Sequence, residues 1–193
     1  MKDFTFNVPQ DIIFGKGSLK RLPELLEKSG SKKMLLISGP VLKKIGMVEK
    51  VEEIVKASGI EVEVFTDVEA NPSVATVDKA TEAYKKAGAT SIVAFGGGSP
   101  MDVAKAVGVL AKYGGDYEGA HKVPGPIVPI IAIPTTAGTG SEVTAFSVIT
   151  DEARNYKLTV FSYELIPSYA LLDPELVMTS PASVAAACGV DAL

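Results

Sequence analysis

SIVAFGGGSPMDVAK, residues 91–105, carries the reading of the fold. Residues 91–95 form a short apolar run of the kind that makes a strand buried on both faces. Gly96, Gly97 and Gly98 follow, and three bare residues let the backbone turn sharply and approach a ligand closely. Ser99 stands where an N-cap belongs, with Pro100 at the first helical position, where its missing N–H costs nothing. Asp102, three residues after Ser99, completes a capping-box pattern with Asp in place of Glu. The spacing predicts a helix over 100–112. The free N–H groups at such a helix start, together with the helix dipole, form an anion seat. The diphosphate of a dinucleotide is its natural occupant. The pattern is neither GxGxxG nor the Gly-Lys-Ser/Thr of a P-loop. Glycine-rich strand-to-helix turns also occur in α/β proteins that bind nothing there.

Working outward, strand-like and helix-like segments alternate. Upstream lie an apolar strand over 33–38, a helical pattern over 48–57, an alternating strand over 61–66 and a helix over 73–87. In the helices, Val48, Val51, Ile54 and Val55, then Val74, Val77, Ala80 and Tyr84, recur at three- and four-residue spacing. Downstream, residues 130–133 make another strand, ending at Pro134. This order predicts an α/β fold: a Rossmann-like parallel sheet flanked by helices on both faces, with right-handed crossovers. Two β-prone runs, 144–150 and 156–161, flank the polar stretch DEARN and predict an added β-hairpin. Residues 168–172 read as one more strand. Ser180 as N-cap and Pro181 as first helical residue predict a last helix reaching at least Ala187.

A second loop resembles the first in chemistry. Residues 134–142 read PTTAGTGSE, with three threonines, a serine and two glycines just past a strand end. Ligands of open α/β sheets lie outside the carboxyl ends of the strands, so hydroxyls there converge on the same crevice as the glycine turn. A plain Ser/Thr/Gly turn with helix capping is the alternative.

Composition narrows the classes. The chain has 193 residues, 47% hydrophobic and 22% charged, which is a globular balance. Nineteen basic against 23 acidic residues give a net charge of −4, without the footprint of a general nucleic-acid binder. Cys188 has no internal disulfide partner, and His121 is the only imidazole, so no two-histidine metal site can form within the chain. The amino terminus has no signal-peptide pattern and no run approaches a membrane span. The expectation is a soluble, cytoplasmic protein without nucleic-acid or membrane partners. Residues 4–8 are strand-prone and could pair with a neighbour's sheet edge. The text ends at GVDAL with no cap or polar tail, which reads as a chain cut where a second domain begins.

Taken together, GGGSPMDVAK (96–105) and IPTTAGTGSEVT (133–144) resemble the iron-containing, group III alcohol dehydrogenases, of the superfamily that includes glycerol dehydrogenase and dehydroquinate synthase. The resemblance runs from Phe14-Gly15-x-Gly17 through Asn71-Pro72-Ser73 to Gly189-Val190-Asp191-Ala192-Leu193. It implies a dinucleotide-binding α/β domain over residues 1–178 and the truncated start of a helical metal-binding domain over 179–193. It implies hydride transfer between NAD(P) and a small alcohol or aldehyde. Carried over residue by residue, Gly97, Gly98 and Ser99 hold the pyrophosphate, with Asp102 beside that loop. Thr135, Thr136 and Thr139 line the nicotinamide side, Asn71 contacts the adenosine half and Lys157 the ribose region.

Asp191 matches the family's first metal ligand, for Fe2+ or Zn2+; the family's remaining ligands are histidines, and His121 matches none of them. This chain alone is therefore expected to hold no catalytic metal tightly and to be inactive by itself. Many family members carry Asp where this chain has Gly39. Its loss removes the charge that repels a 2′-phosphate, and Lys43 and Lys44 follow closely, so NADP is favoured over NAD. A longer protein of this type is expected to be a homo-oligomer, commonly a dimer. Two other readings stand beside this one: a glycerol dehydrogenase-like polyol enzyme, and a nucleotide-binding module without catalysis.

Overall fold

Branched apolar runs bounded by glycine, proline or polar residues become the strands of this chain, whose computed structural model describes residues 8–193. In order these are β1 (Asp11–Phe14), β2 (Lys33–Ile37), β3 (Glu61–Phe65), β4 (Ser91–Gly96), β5 (Gly119–Ala120), β6 (Ile130–Pro134), β7 (Phe146–Asp151), β8 (Tyr156–Phe161) and β9 (Tyr169–Leu172). The helices are α1 (Leu22–Lys28), α2 (Pro40–Lys44), α3 (Met47–Lys56), α4 (Val74–Ala87), α5 (Gly98–Tyr113), α6 (Pro174–Val177) and α7 (Ala182–Asp191).

Six strands form one sheet in the order β1-β9-β6-β4-β2-β3, every pair parallel. The central strands β4 and β6 are buried at every residue, as a sheet covered on both faces requires. Successive side chains divide between the faces. Leu35, Ile37, Ile92, Ala94, Ile130 and Ala132 pack with α4 and α5. Met34, Leu36, Val93, Phe95, Ile131 and Ile133 pack with α1 and α3. The α/β reading and the parallel sheet are thus both observed.

The winding places the crevice. Starting at β2, the chain adds β3 on one side, then returns to lay β4, β6 and β9 on the other. This is a doubly wound order whose direction reverses between β2 and β4, the point where such sheets open a ligand cleft. The crossover from β6 to β9 carries the predicted hairpin instead of a helix. Its strands β7 and β8 pair antiparallel from Phe146↔Phe161 to Asp151↔Tyr156, and β5 joins them in a separate three-stranded sheet.

Several local expectations are corrected. Helix α5 begins at Gly98 with Gly97 as its N-cap, so Ser99 is already inside the first turn and caps nothing. Asp102 does not reach back to Ser99, and no capping box forms. Helix α7 begins at Ala182 with Pro181 as N-cap and no side-chain cap. Ser180 instead donates its hydroxyl to the Thr135 carbonyl at 2.7 Å. The elements β1, α1 and α2 have no counterpart in the sequence reading. The strand-prone segment 4–8, apart from Val8, lies outside the described residues. Among the described residues no helix is long and apolar enough to cross a membrane.

Candidate functional site

The site is assembled at the carboxyl ends of the central strands. Gly96 has φ +145, and a Cβ there would stand 2.9 Å from Pro100 Cγ. Only a bare backbone both adopts that angle and leaves room for the proline ring. The chain can then turn at once into α5. The N–H groups of Gly97, Gly98 and Ser99 donate to nothing among the described residues, and Pro100 has none to offer. Three free amides therefore crown a 16-residue helix, where its dipole favours an anion.

The second loop closes over this turn. Thr135 N–H donates to Gly96 O at 2.8 Å, carrying the contact between β4 and β6 past the strand ends. Thr135 itself is buried. A Cβ on Gly97 would lie 3.4 Å from Thr136 Oγ1, and one on Gly98 would lie 3.4 Å from Ser141 Oγ and 3.5 Å from Thr139 Cγ2. The two loops thus converge as the sequence suggested. Thr136 Oγ1 is buried and has no hydrogen-bond partner among the described residues. A buried hydroxyl without a partner is costly, and this one sits against the glycine turn.

Asp102 and Lys105, one turn apart on α5, face the segment that follows the loop. Asp102 lies 3.5 Å from Ser141 Oγ, and its backbone carbonyl accepts from Ser147 Oγ at 2.7 Å. Burial pushes its carboxyl up to about 6, against the pull of the Lys105 ammonium. Lys105 is fully buried, and its Nζ donates to Thr144 O at 2.8 Å, Thr144 Oγ1 at 3.1 Å and Phe146 O at 2.9 Å. Burial lowers that ammonium to about 8, with Asp102 and Glu142 opposing the shift.

At the reversal point, Ser38 bridges β2 to both neighbours. Its N–H donates to Phe65 O at 2.9 Å and its Oγ to Phe95 O at 2.8 Å. Gly39 follows as N-cap of α2, and a Cβ there would lie 3.3 Å from Val68 O. The structure also brings Asn71 and Lys157 together: Lys157 Nζ donates to Asn71 Oδ1 at 3.2 Å. Asn71 has φ 55, and its carbonyl accepts from Thr150 Oγ1 at 3.3 Å, so this pair ties the hairpin to the loop before α4. Neither side chain hydrogen-bonds to the glycine turn.

Beside the second loop lies an apolar cleft of about 410 Å³, walled by Phe14, Thr136, Ala137, Leu172, Val177 and Met178. Asp173 shapes its floor by accepting from the N–H groups of Gly17, Leu19 and Glu175, each at 3.1 Å. Gly138 is pressed against α7, where a Cβ would overlap the Cys188 carbonyl. Asp191 is the exposed last residue of α7. Among the described residues no group of three or more His, Cys, Asp or Glu side chains could hold a metal. His121 is exposed, with its ring edge-on to Phe161 at 4.8 Å.

Sequence reasoning missed Lys105, Ser141, Ser38 and Asp173. For Lys105 a signal existed: a lone cation between Val103-Ala104 and Ala106-Val107, one turn after Asp102. Ser38 carries no such signal, since the carbonyl its hydroxyl reaches is 57 residues distant. Asp173 carries a local one, as the N-cap before Pro174 that accepts from the Glu175 N–H, but its bonds to Gly17 and Leu19, more than 150 residues away, have no mark in the sequence.

The model of the family described as iron-containing alcohol dehydrogenase matches residues 9–174. The chain is similar to the NAD-dependent methanol dehydrogenase of Bacillus methanolicus, at 38% identity over 191 residues, 97% of this chain and 50% of that protein. It is similar to the NADPH-dependent butanol dehydrogenase of Clostridium saccharobutylicum, at 40% identity over 194 residues, 97% of this chain and 49% of that protein. Its fold superposes on a crystal structure of 1,3-propanediol oxidoreductase with a TM-score of 0.94 and 36% identity, covering 98% of this chain and 50% of the other. The chain spans about half the length of the curated relatives it matches. On the strength of the matched segment, the reversal-point crevice and its two converging loops, this chain belongs to the iron-containing alcohol dehydrogenase family.

Proposed function

We propose that this chain is the dinucleotide-binding part of an oxidoreductase that moves a hydride between NAD(P) and a small alcohol or its aldehyde. One observation carries the reading: three unused amides at the start of α5 lie under a loop whose buried Thr136 hydroxyl has no partner. A diphosphate satisfies the amides, and a hydroxyl or amide of the same ligand satisfies Thr136. The names of the two relatives include both NAD and NADPH dependence, with methanol and butanol as alcohols.

In this reading Gly97, Gly98 and Ser99 hold the diphosphate through backbone N–H groups. Thr136 and Thr139 roof it, and Thr135 fixes that roof through its backbone bond to Gly96. Asp102 borders the loop from α5. Asn71 and Lys157, paired at the base of the hairpin, hold the adenosine and ribose end. When bound, the nicotinamide supplies the hydride chemistry, and the chain supplies orientation. Residues 1–178 form this binding part, and 179–193 open a helical metal-binding part in which Asp191 is one ligand for iron or zinc. The donor set described here does not fit a divalent cation, which takes about four or more donors.

NADP is the favoured dinucleotide. Gly39 presents no carboxylate at the end of β2, and the Val68 carbonyl 3.3 Å from its Cβ position crowds any side chain there. Exposed Lys43 and Lys44 on α2 supply positive charge nearby. Calorimetric titration of the 193-residue chain with NADP+ and NAD+ tests both points. Binding of both, tighter for NADP+ and abolished by Gly98→Val, is expected. No binding of either at millimolar concentration overturns the site; a clear preference for NAD+ overturns the role given to Gly39.

A further inference from the structure

We propose that Lys105 is a positioning residue for dinucleotide binding: its buried ammonium straps the segment after the second loop to the helix whose amino end seats the diphosphate. The inference rests on the dinucleotide reading above and adds a residue to it.

The geometry is specific. All three N–H bonds of the ammonium are used, and every acceptor lies in residues 144–146: Thr144 O, Thr144 Oγ1 and Phe146 O. Among the described residues no backbone N–H reaches the Thr144 carbonyl, so Lys105 is its donor. One turn earlier on the same face of α5, Ser147 Oγ donates to the Asp102 carbonyl at 2.7 Å. Helix α5 therefore grips residues 144–147 from beneath. Its own first turn lies under Thr136, Thr139 and Ser141, which precede the gripped segment directly. Floor and roof of the seat are thus joined through one rigid element. Lys105 lies seven residues past Gly98, about two helical turns or ~10 Å from the diphosphate position. At that distance it acts through the loop and does not touch the ligand.

A buried ammonium is a costly choice for filling space, because its charge leaves water. An apolar side chain of similar length would fill the same buried position without that cost. What it would lack is a donor for three oxygens of an irregular segment. This requirement accounts for a cation at a fully buried position of α5.

The test compares the wild-type chain with Lys105→Met, which keeps the length but removes the donors, and Lys105→Arg, which keeps donors and charge. NADPH affinity is measured by fluorescence titration, well below the melting temperature, on protein with native circular dichroism. Amide exchange is followed over residues 136–146. Lys105→Met is expected to weaken NADPH binding tenfold or more and to speed exchange in that segment. Lys105→Arg is expected to restore most of both. A folded Lys105→Met that binds NADPH within twofold of wild type overturns the proposal, as does Lys105→Arg no better than Lys105→Met. Should neither fold, Thr144→Val removes one acceptor: a threefold loss of affinity supports the strap, and no loss overturns it. Wild-type protein that binds no NADPH overturns the dinucleotide reading instead. In that case exchange over 136–146 still decides whether the strap exists.

Discussion

The dipeptide Ser-Pro occurs before two helices, at Ser99-Pro100 and at Ser180-Pro181, and the structure uses it in opposite ways. Local rules make both serines N-caps and both prolines first helical residues. At the first site the helix starts earlier, at Gly98, and Ser99 is inside it. At the second it starts later, at Ala182, and Ser180 lies outside, bonded to the Thr135 carbonyl. A residue preceding proline is disfavoured in the helical region. Ser180 lies outside its helix. Ser99 breaks that rule, because Pro100 is buried with its ring in the space that Gly96 leaves open. Packing thus overrides a local preference at the glycine turn, and leaves it alone where a helix makes few contacts. Nine residues of α5 are buried and none of α7, so the two helices sit at opposite ends of that contrast.

The comparison breaks most sharply at Gly96. Gly96→Val adds a branched side chain at φ +145 with a Cβ 2.9 Å from Pro100 Cγ. Backbone strain and overpacking together predict a loss of roughly 2–4 kcal/mol. Urea unfolding of the variant measures it, and a loss below about 1 kcal/mol would mean that Pro100 does not need that space.

A second effect, of order 2–3 kcal/mol at most, is a pH dependence from the buried pair on α5. The Asp102 carboxyl is raised from 3.8 to about 6 in the folded chain. Between these values the folded state holds a proton that the unfolded state has released, so stability falls as pH rises through that window. The Lys105 ammonium is lowered from 10.5 to about 8, so in that upper window the unfolded state binds the extra proton and stability rises with pH. The pair's contribution is therefore lowest between about pH 6 and 8, where both groups are charged. Relative to Asp102→Asn, wild type is expected to lose stability between pH 4.5 and pH 7 in urea titrations, pH values chosen to bracket the folded carboxyl near 6. A constant difference would show the carboxyl to be solvated.

The smallest effect separates the two serines directly. Ser180→Ala removes the 2.7 Å bond to Thr135 O and is expected to cost about 1 kcal/mol. Ser99→Ala removes no cap, since Gly97 holds that position, and is expected to change stability by less than about 0.5 kcal/mol. Equal losses from both, in parallel thermal melts, would restore the capping role to Ser99.

Legibility in the sequence followed the range of the forces involved. The apolar runs of β2, β4 and β6 and the periodicity of α3 and α4 are local, and their assignments agree with the structure to within a residue or two. The hairpin was readable from the polar turn between its arms. By contrast, β1 has four residues, of which Ile13 is partly buried and the other three are exposed. It forms because β9 offers it a parallel edge, a partner about 158 residues away. Helix α2 is five residues long with no buried side chain, so no periodic signal could mark it. At the site, the glycine turn and the hydroxyl-rich loop were legible as chemistry. Their convergence on one crevice was legible too, but the unused state of Thr136 Oγ1 was not.

By itself, the sequence determined the alternation of strand and helix, the bare turn after β4 and the set of hydroxyls after β6, because each depends on residues within a few positions of one another. Tertiary structure decided where α5 and α7 begin, which polar atoms stay unpaired and which buried cation grips the loop. Each of these depends on contacts between residues brought together by the winding of the sheet, where burial and close packing outweigh the fraction of a kcal/mol to ~1 kcal/mol that separates local alternatives.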